Sequence, residues 1–156
     1  MVRVSVLCGM QTLNFNSYSF RLKKQEKQTL IYDPLRKRFF RLTPEEWVRQ
    51  HCIQFLHLEK GYPLSLMNAE KQLKLHDTTK RYDIICFKPN GDIHVIVECK
   101  APEVNITQAT FDQIARYNMA LKSNYLMVTN GISHYFCTID YENETYRFLN
   151  ELPPYT

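Results

Sequence analysis

The chain has 156 residues, 44% of them hydrophobic and 23% charged, with a net charge of +4. That length suits one domain with a proper core and is short for two, and the composition is that of a folded soluble protein. No window approaches the ~18 consecutive apolar residues of a membrane span, and the opening MVRVSVLCGM carries too short an apolar run for a signal peptide, so a cytoplasmic protein without a membrane partner is expected.

Charge is placed unevenly. Residues 1–42 hold nine Lys/Arg against two acids, Glu26 and Asp33, a local charge of +7; residues 43–156 hold eleven against fourteen, or −3. The reading is a basic N-terminal arm, 1–42, joined to a body, 43–156. Such an arm attracts a polyanion while the body holds cations, and a merely solvated basic face fits the composition equally well. The five cysteines (Cys8, Cys52, Cys86, Cys99, Cys137) form no CxxC pair and read as reduced, mostly buried thiols, which argues against structural zinc.

Residues 1–28 show weak periodicity and support no assignment. TLIYDPLRKRFFRL, from Thr29, reads as two short strands about an Asp33-Pro34 turn, with Arg36, Lys37, Arg38 and Arg41 beside the bend. Thr43-Pro44-Glu45-Glu46 opens a helix, with Thr43 at the N-cap, Pro44 at N1 and Glu46 at N3 of a capping box. Its apolar stripe Val48, Cys52, Phe55, Leu56 runs toward a stop near Gly61-Tyr62-Pro63. A strand is expected over 64–76, then two β-rich runs, 81–88 and 92–100, joined by Pro89-Asn90-Gly91. A second helix follows Thr107 to about Lys122. A buried strand over 125–131 and a closing hairpin turning near Glu142-Asn143 complete an α/β domain with a mixed central sheet. Both strands of the middle hairpin are apolar on both faces, which suits a sheet covered by helices on each side.

That hairpin carries the chemistry. Asn90-Gly91 signals a two-residue type I′ turn, which pairs Phe87 with His94, Ile85 with Ile96 and Asp83 with Glu98. Opposed residues on one face lie roughly 4.5–5.5 Å apart at Cβ. Lys100 points to the same face, and Tyr82, Ile84, Cys86, Val95, Val97 and Cys99 form the opposite, core face. Three ionisable groups thus converge at the end of an apolar hairpin, where an unpaired charge is costly. Two carboxylates and the Cys99 carbonyl form the hard donor set Mg²⁺ prefers. An ion pair of Lys100 with Glu98 or Asp83 accounts for the same spacing. His94 faces Phe87 nearer the turn and reads as a core or edge histidine.

Asp83, fourteen intervening residues and Glu98-Cys99-Lys100 resemble the PD-(D/E)XK nuclease signature, with Tyr82 where the motif name has Pro. LTPEEWVRQ (42–50), KRYDIICF (80–87), VIVECKAP (95–102), FDQIARYN (111–118) and VTNG (128–131) resemble, in order, the N-terminal nuclease domain of type I restriction enzyme R proteins. The resemblance spans about Leu42 to Leu149. It implies a restriction-endonuclease-like core and a restriction- or defence-related, Mg²⁺-dependent endodeoxyribonuclease in which Mn²⁺ substitutes. Asp83 and Glu98 match its metal-binding acids and Lys100 its motif lysine. Gln113 and Tyr117, one helical turn apart, match a QxxxY element that contacts DNA or buttresses the site; a helix face packing Tyr117 on the sheet is the alternative. An acid of the first helix also belongs to the pattern: Glu45 and Glu46 both compete, and block alignment selects Glu46. Arg36, Lys37, Arg38 and Arg41 would then track the DNA backbone.

Implied partners are DNA, other restriction-system subunits and a second copy as a homodimer. No helicase motif, GxSxG, P-loop, dinucleotide fingerprint or HExxH is present. A DNA-binding accessory module that uses the fold without cutting is the alternative to a nuclease.

Overall fold

The computed structural model describes residues 2–3, 10–75 and 77–156; the expectations for most of MVRVSVLCGM, for Cys8 and for His76 fall outside the described residues. The N-terminal segment carries the short pair β1 (Val2–Arg3) and β2 (Ser19–Phe20), then an antiparallel three-stranded sheet of β3 (Leu22–Gln25), β4 (Gln28–Asp33) and β5 (Arg38–Arg41). The strands about Asp33-Pro34 are as expected; β3 lies in the region where no periodicity was visible.

α1 (Pro44–Gln54) begins as its sequence dictates, with Thr43 Oγ1 accepting from the Glu46 N–H at 3.1 Å. The reciprocal half of the capping box is not made. The Thr43 N–H donates to the Arg41 carbonyl, and the Glu46 side chain is spent elsewhere. A π-helical turn (Phe55–Glu59) extends α1 to Gly61, whose φ of +75° suits the chain reversal.

Six strands form the central sheet: β6 (Met67–Leu75), β7 (Thr78–Phe87), β8 (Ile93–Cys99), β9 (Tyr125–Thr129), β10 (His134–Asp140) and β11 (Thr145–Leu149). Their spatial order is β11-β10-β9-β8-β7-β6, with β8 and β9 parallel and every other pair antiparallel. The crossover between the parallel pair is α2 (Gln108–Asn118), capped by Thr107. The sheet is therefore mixed and has a helix on each face. On one face Val48, Cys52 and Ile53 of α1 and Leu56 of the π-helical turn pack on Ile84, Cys86, Val95 and Val97. On the other, Phe111 and Ala115 of α2 pack on Ile85, Ile96, Leu126 and Val128. Each fully buried Val, Leu or Ile contributes about 1.5–3 kcal/mol. Leu13, Phe20 and Ile31 from the N-terminal segment join the α1-side cluster, so α1 is covered on both sides and buries even Arg49, Gln50 and His51. Four cysteines, Cys52, Cys86, Cys99 and Cys137, are buried free thiols.

The middle hairpin departs from expectation at its turn. Phe87 pairs with Ile93, not His94, and Asn90 does not adopt the positive φ a type I′ turn needs. Pro89, with its fixed φ, instead sits at the second position of a turn in which the Gly91 N–H donates to the Lys88 carbonyl; Gly91 takes φ +93°. A bulge between Cys86 and Phe87 absorbs the extra residue, so the expected register returns deeper in, with Ile85 opposite Ile96 and Ile84 opposite Val97. His94 packs among Tyr62, Tyr125 and Tyr155, away from the acids.

A second departure concerns face. Tyr82 belongs to the α2-side cluster rather than with Ile84 and Cys86. Alternation breaks at Asp83, where the β6–β7 pairing skips from Ala69–Ile84 to Lys71–Tyr82 and the intervening Glu70 takes φ +55°. A non-glycine residue in that left-handed region costs about 1 kcal/mol or more.

Candidate functional site

Asp83 stands where β7 breaks its alternation. The Cys99 N–H donates to its Oδ2 at 2.7 Å, which ties β7 to the end of β8. Its Oδ1 accepts from Arg49 Nη2 at 3.1 Å, so the carboxylate reaches α1. Glu98, one residue back on β8, is buried, and its Oε1 lies 3.4 Å from Lys80 Nζ yet makes no hydrogen bond. Burial first, then the negative charge of Asp83, push the Glu98 carboxyl up to about 7, with Lys80 opposing. Asp83 and Glu98 are thus acids in electrostatic contact, but not a facing pair of the ladder: the β7–β8 pairing ends at Ile84–Val97, and Asp83 sits where the alternation breaks.

Lys100 does not form the ion pair that was the alternative to a site role. Among the described residues it pairs with neither Asp83 nor Glu98; those acids are held by Arg49 and Lys80. The Lys100 N–H donates to the Thr129 carbonyl, and its ammonium acts electrostatically on Glu45.

Arg49 is the centre of the site. Its buried guanidinium meets four carboxylates: Glu46 Oε1 at 2.8 Å from Nη1, and Asp83, Glu45 (3.4 Å) and Glu70 from Nη2. Burial would lower its proton affinity, but Glu46 and Asp83 outweigh that and hold it firmly cationic. One nitrogen on three carboxylates takes the place of a small cation. Glu70 reaches it through the left-handed kink in β6 and also binds Arg81 at 3.2 Å. Neither Glu70 nor Lys80 is signalled by spacing: Glu70 lies in a strand of mixed alternation, and Lys80 opens the KRYDIICF block without matching a position of the signature.

The two acids of α1 divide their duties. Glu46 accepts from Arg36 Nη2 (2.7 Å), Arg49 Nη1 and Gln50 Nε2 (3.2 Å), which brackets the three-stranded sheet to α1. Glu45 is half-exposed; burial first and then Asp83 raise its pKa, while Arg49 and Lys100 lower it. Glu45 is therefore the α1 acid in electrostatic contact with both Asp83 and Lys100.

On the opposite side, Tyr117 is 43% exposed and its ring centroid lies 4.0 Å from Lys80 Nζ, which also covers the Tyr82 ring at 4.9 Å. Tyr117 thus borders Glu98 through Lys80 instead of packing into the core, and Gln113 is exposed on the same helix. The four basic residues of the arm separate. Arg36 is consumed by Asp33 and Glu46, Arg38 covers the Phe40 ring at 4.7 Å, Lys37 occupies the turn at φ +56°, and Arg41 is exposed.

For a divalent cation the donor chemistry fits. Asp83 and Glu98 offer hard oxygens, and Glu98 Oε1 is buried without a hydrogen bond. No set of three or more His, Cys, Asp or Glu is arranged around a metal position among the described residues. Mg²⁺, however, keeps several waters and binds through one or two carboxylates.

A mixed six-stranded sheet with one helix on each face, and adjacent acids on its central antiparallel pair beside the parallel crossover, defines an α/β domain. The chain belongs to the family described as type I restriction enzyme R protein N terminus, whose model matches residues 44–153. Among solved structures it is similar to a fragment assigned to the HsdR subunit of a type I restriction enzyme from Vibrio vulnificus YJ016. The two share 18% identity over 72% of this chain and 24% of that one, with a TM-score of 0.48, so this chain spans about a quarter of that chain's length. No curated protein matches. No helix among the described residues is long and apolar enough to cross a membrane.

Proposed function

We propose that the chain is a Mg²⁺-dependent endodeoxyribonuclease domain of a restriction system, with Mn²⁺ able to substitute. The observation that carries this reading is the adjacent Asp83–Glu98 pair, in which Glu98 is buried and its Oε1 faces the Lys80 ammonium at 3.4 Å without forming a hydrogen bond. Family membership supports it. Asp83, Glu98 and the Cys99 carbonyl would hold the ion, with Glu45 rather than Glu46 as the α1 acid nearest to it. The bound ion would supply Lewis acidity and activate water at neutral pH. Lys100, without an ion pair among the described residues, would orient the attacking water and offset phosphate charge. Lys80 and Tyr117 border Glu98, and Gln113 is exposed on the helix that carries Tyr117; Tyr117 and Gln113 would face the strand. DNA is the substrate, and other restriction subunits or a second copy are the partners that would place a second cut.

The test is cleavage of plasmid and single-stranded DNA with Mg²⁺ or Mn²⁺, against Asp83→Ala and Lys100→Ala. Loss in both supports the assignment, and cleavage that survives both sinks it.

A second reading, a DNA-binding module that does not cut, is favoured by Arg49, which already neutralises three carboxylates from one nitrogen. Calorimetry separates the two. DNA binding without any heat of Mg²⁺ or Mn²⁺ binding selects the module.

A further inference from the structure

The three-stranded sheet has two unlike faces. Register places Leu22, Ile31, Phe40 and Asp33 together, and Ile31 and Asp33 are fully buried, so this face lies against the body. The other face is two rows deep. Arg21 (whose carbonyl accepts from the Tyr32 N–H), Tyr32 and Phe39 form one row, and Lys23, Leu30 and Arg41 form the other. Arg21, Lys23 and Arg41 are exposed, and the rings between them are partly exposed.

The arrangement of charge on this face is the informative part. Among the described residues none of its three cations has an ion-pair partner. Asp33 points to the buried face, where Arg36 neutralises it, and Glu26 sits in the turn between β3 and β4. Two of the three are held over rings instead: Arg21 lies 4.4 Å from the Tyr32 centroid and 5.6 Å from Phe39, and Lys23 lies 4.3 Å from Phe39. Tyr32 and Phe39 meet edge to face at 5.3 Å. A guanidinium plane over a ring is itself a surface on which a base stacks, and an unpaired cation beside it meets the next phosphate. A duplex hides its base faces and has no use for exposed rings, whereas a single strand presents both groups.

The geometry points to a stacking platform for a single-stranded polynucleotide on the outward face of the three-stranded sheet, built from Arg21, Lys23, Tyr32, Phe39 and Arg41. It rests on the nucleic-acid reading above for its purpose and names the strand form that the domain holds. Arg36 and Glu46 tie this sheet to α1, three residues before Arg49, so platform and acidic site belong to one packed unit. The platform takes Arg41 from the basic 36–41 segment and leaves out Arg36, which Asp33 and Glu46 neutralise.

The experiment is fluorescence anisotropy of the full chain with labelled 20-nucleotide oligo-dT, oligo-rU and a 20-base-pair duplex. It is run in EDTA so that cleavage plays no part. Oligo-dT or oligo-rU is expected to bind about tenfold or more tighter than the duplex, the stronger of the two identifying the strand. Tyr32→Leu with Phe39→Leu keeps the apolar surface and is expected to weaken binding about tenfold or more. Arg21→Gln with Lys23→Gln is expected to lower the salt slope by ~1.4. The platform variants keep the metal response of the acids if the platform is right, so that the platform and the nuclease reading fail separately. Duplex binding as tight as single-strand binding, or a folded leucine variant that binds like the native chain, overturns the platform.

Discussion

Replacing Arg49 by Met tests the centre of the site. The guanidinium is 7% exposed and neutralises Glu46 and Asp83, whose side chains are 6% and 14% exposed, together with Glu70 and Glu45. Removing one partner of a buried ion pair costs about 3–5 kcal/mol, because it leaves desolvated charge behind. Here each deeply placed acid keeps another partner: Glu46 keeps Arg36, Asp83 keeps the Cys99 N–H, and Glu70 keeps Arg81. The lower end therefore applies, about 3 kcal/mol, or a melting point lower by roughly 6–12 °C at this chain length. Urea denaturation at pH 7.5 in EDTA reads the loss. Adding 10 mM Mg²⁺ supplies the second half of the test. If the vacated carboxylates accept the ion with a Kd of about 1 mM, the variant regains about 1.4 kcal/mol. A loss below about 1 kcal/mol would refute the desolvated-centre argument. A variant indifferent to Mg²⁺ would refute the idea that these acids form a cation site.

Three further outcomes are expected. In EDTA the Glu98 carboxyl, raised to about 7 from 4.5, contributes stability that is fully present below about pH 4.5 and lost as pH rises through 7. The loss is roughly 3 kcal/mol; Glu98→Gln should flatten that slope in pH-dependent denaturation, and an unchanged slope counts against the burial argument. Gly131→Ala combines φ +86° with a Cβ placed 2.8 Å from Leu13 Cδ2 and 3.0 Å from Val48 Cγ2, so a loss of about 2 kcal/mol or more is expected from calorimetric melting. Lys100→Ala should leave stability within about 0.5 kcal/mol, since its ammonium has no ion pair among the described residues, while cleavage falls about 100-fold or more. A large fall in melting temperature would instead make Lys100 structural.

Where the sequence was read by local rules, it was read well. Thr43-Pro44 started α1 where a hydroxyl cap and a fixed φ must start a helix. Alternating apolar runs marked the buried hairpin and set Ile85 opposite Ile96, while Asp83 broke the period of two. That register survived for a partly different reason than the one that predicted it. Pro89 imposed another turn, and the Cys86–Phe87 bulge restored the frame. Charge asymmetry likewise located the basic residues but not which of them share a face.

What the amino-acid order determined by itself is therefore short-range: caps, turns, strand period, and which acids one hairpin carries. The tertiary structure decided the partners. Arg49 reaches Asp83 across 34 positions and Glu70 across 21, Glu46 is drawn to Arg36 and away from Asp83, and Arg21 and Lys23 settle on the Tyr32–Phe39 pair across two strand pairings. Each is a long side chain choosing among several counter-groups by distance and desolvation, which no spacing in the sequence records.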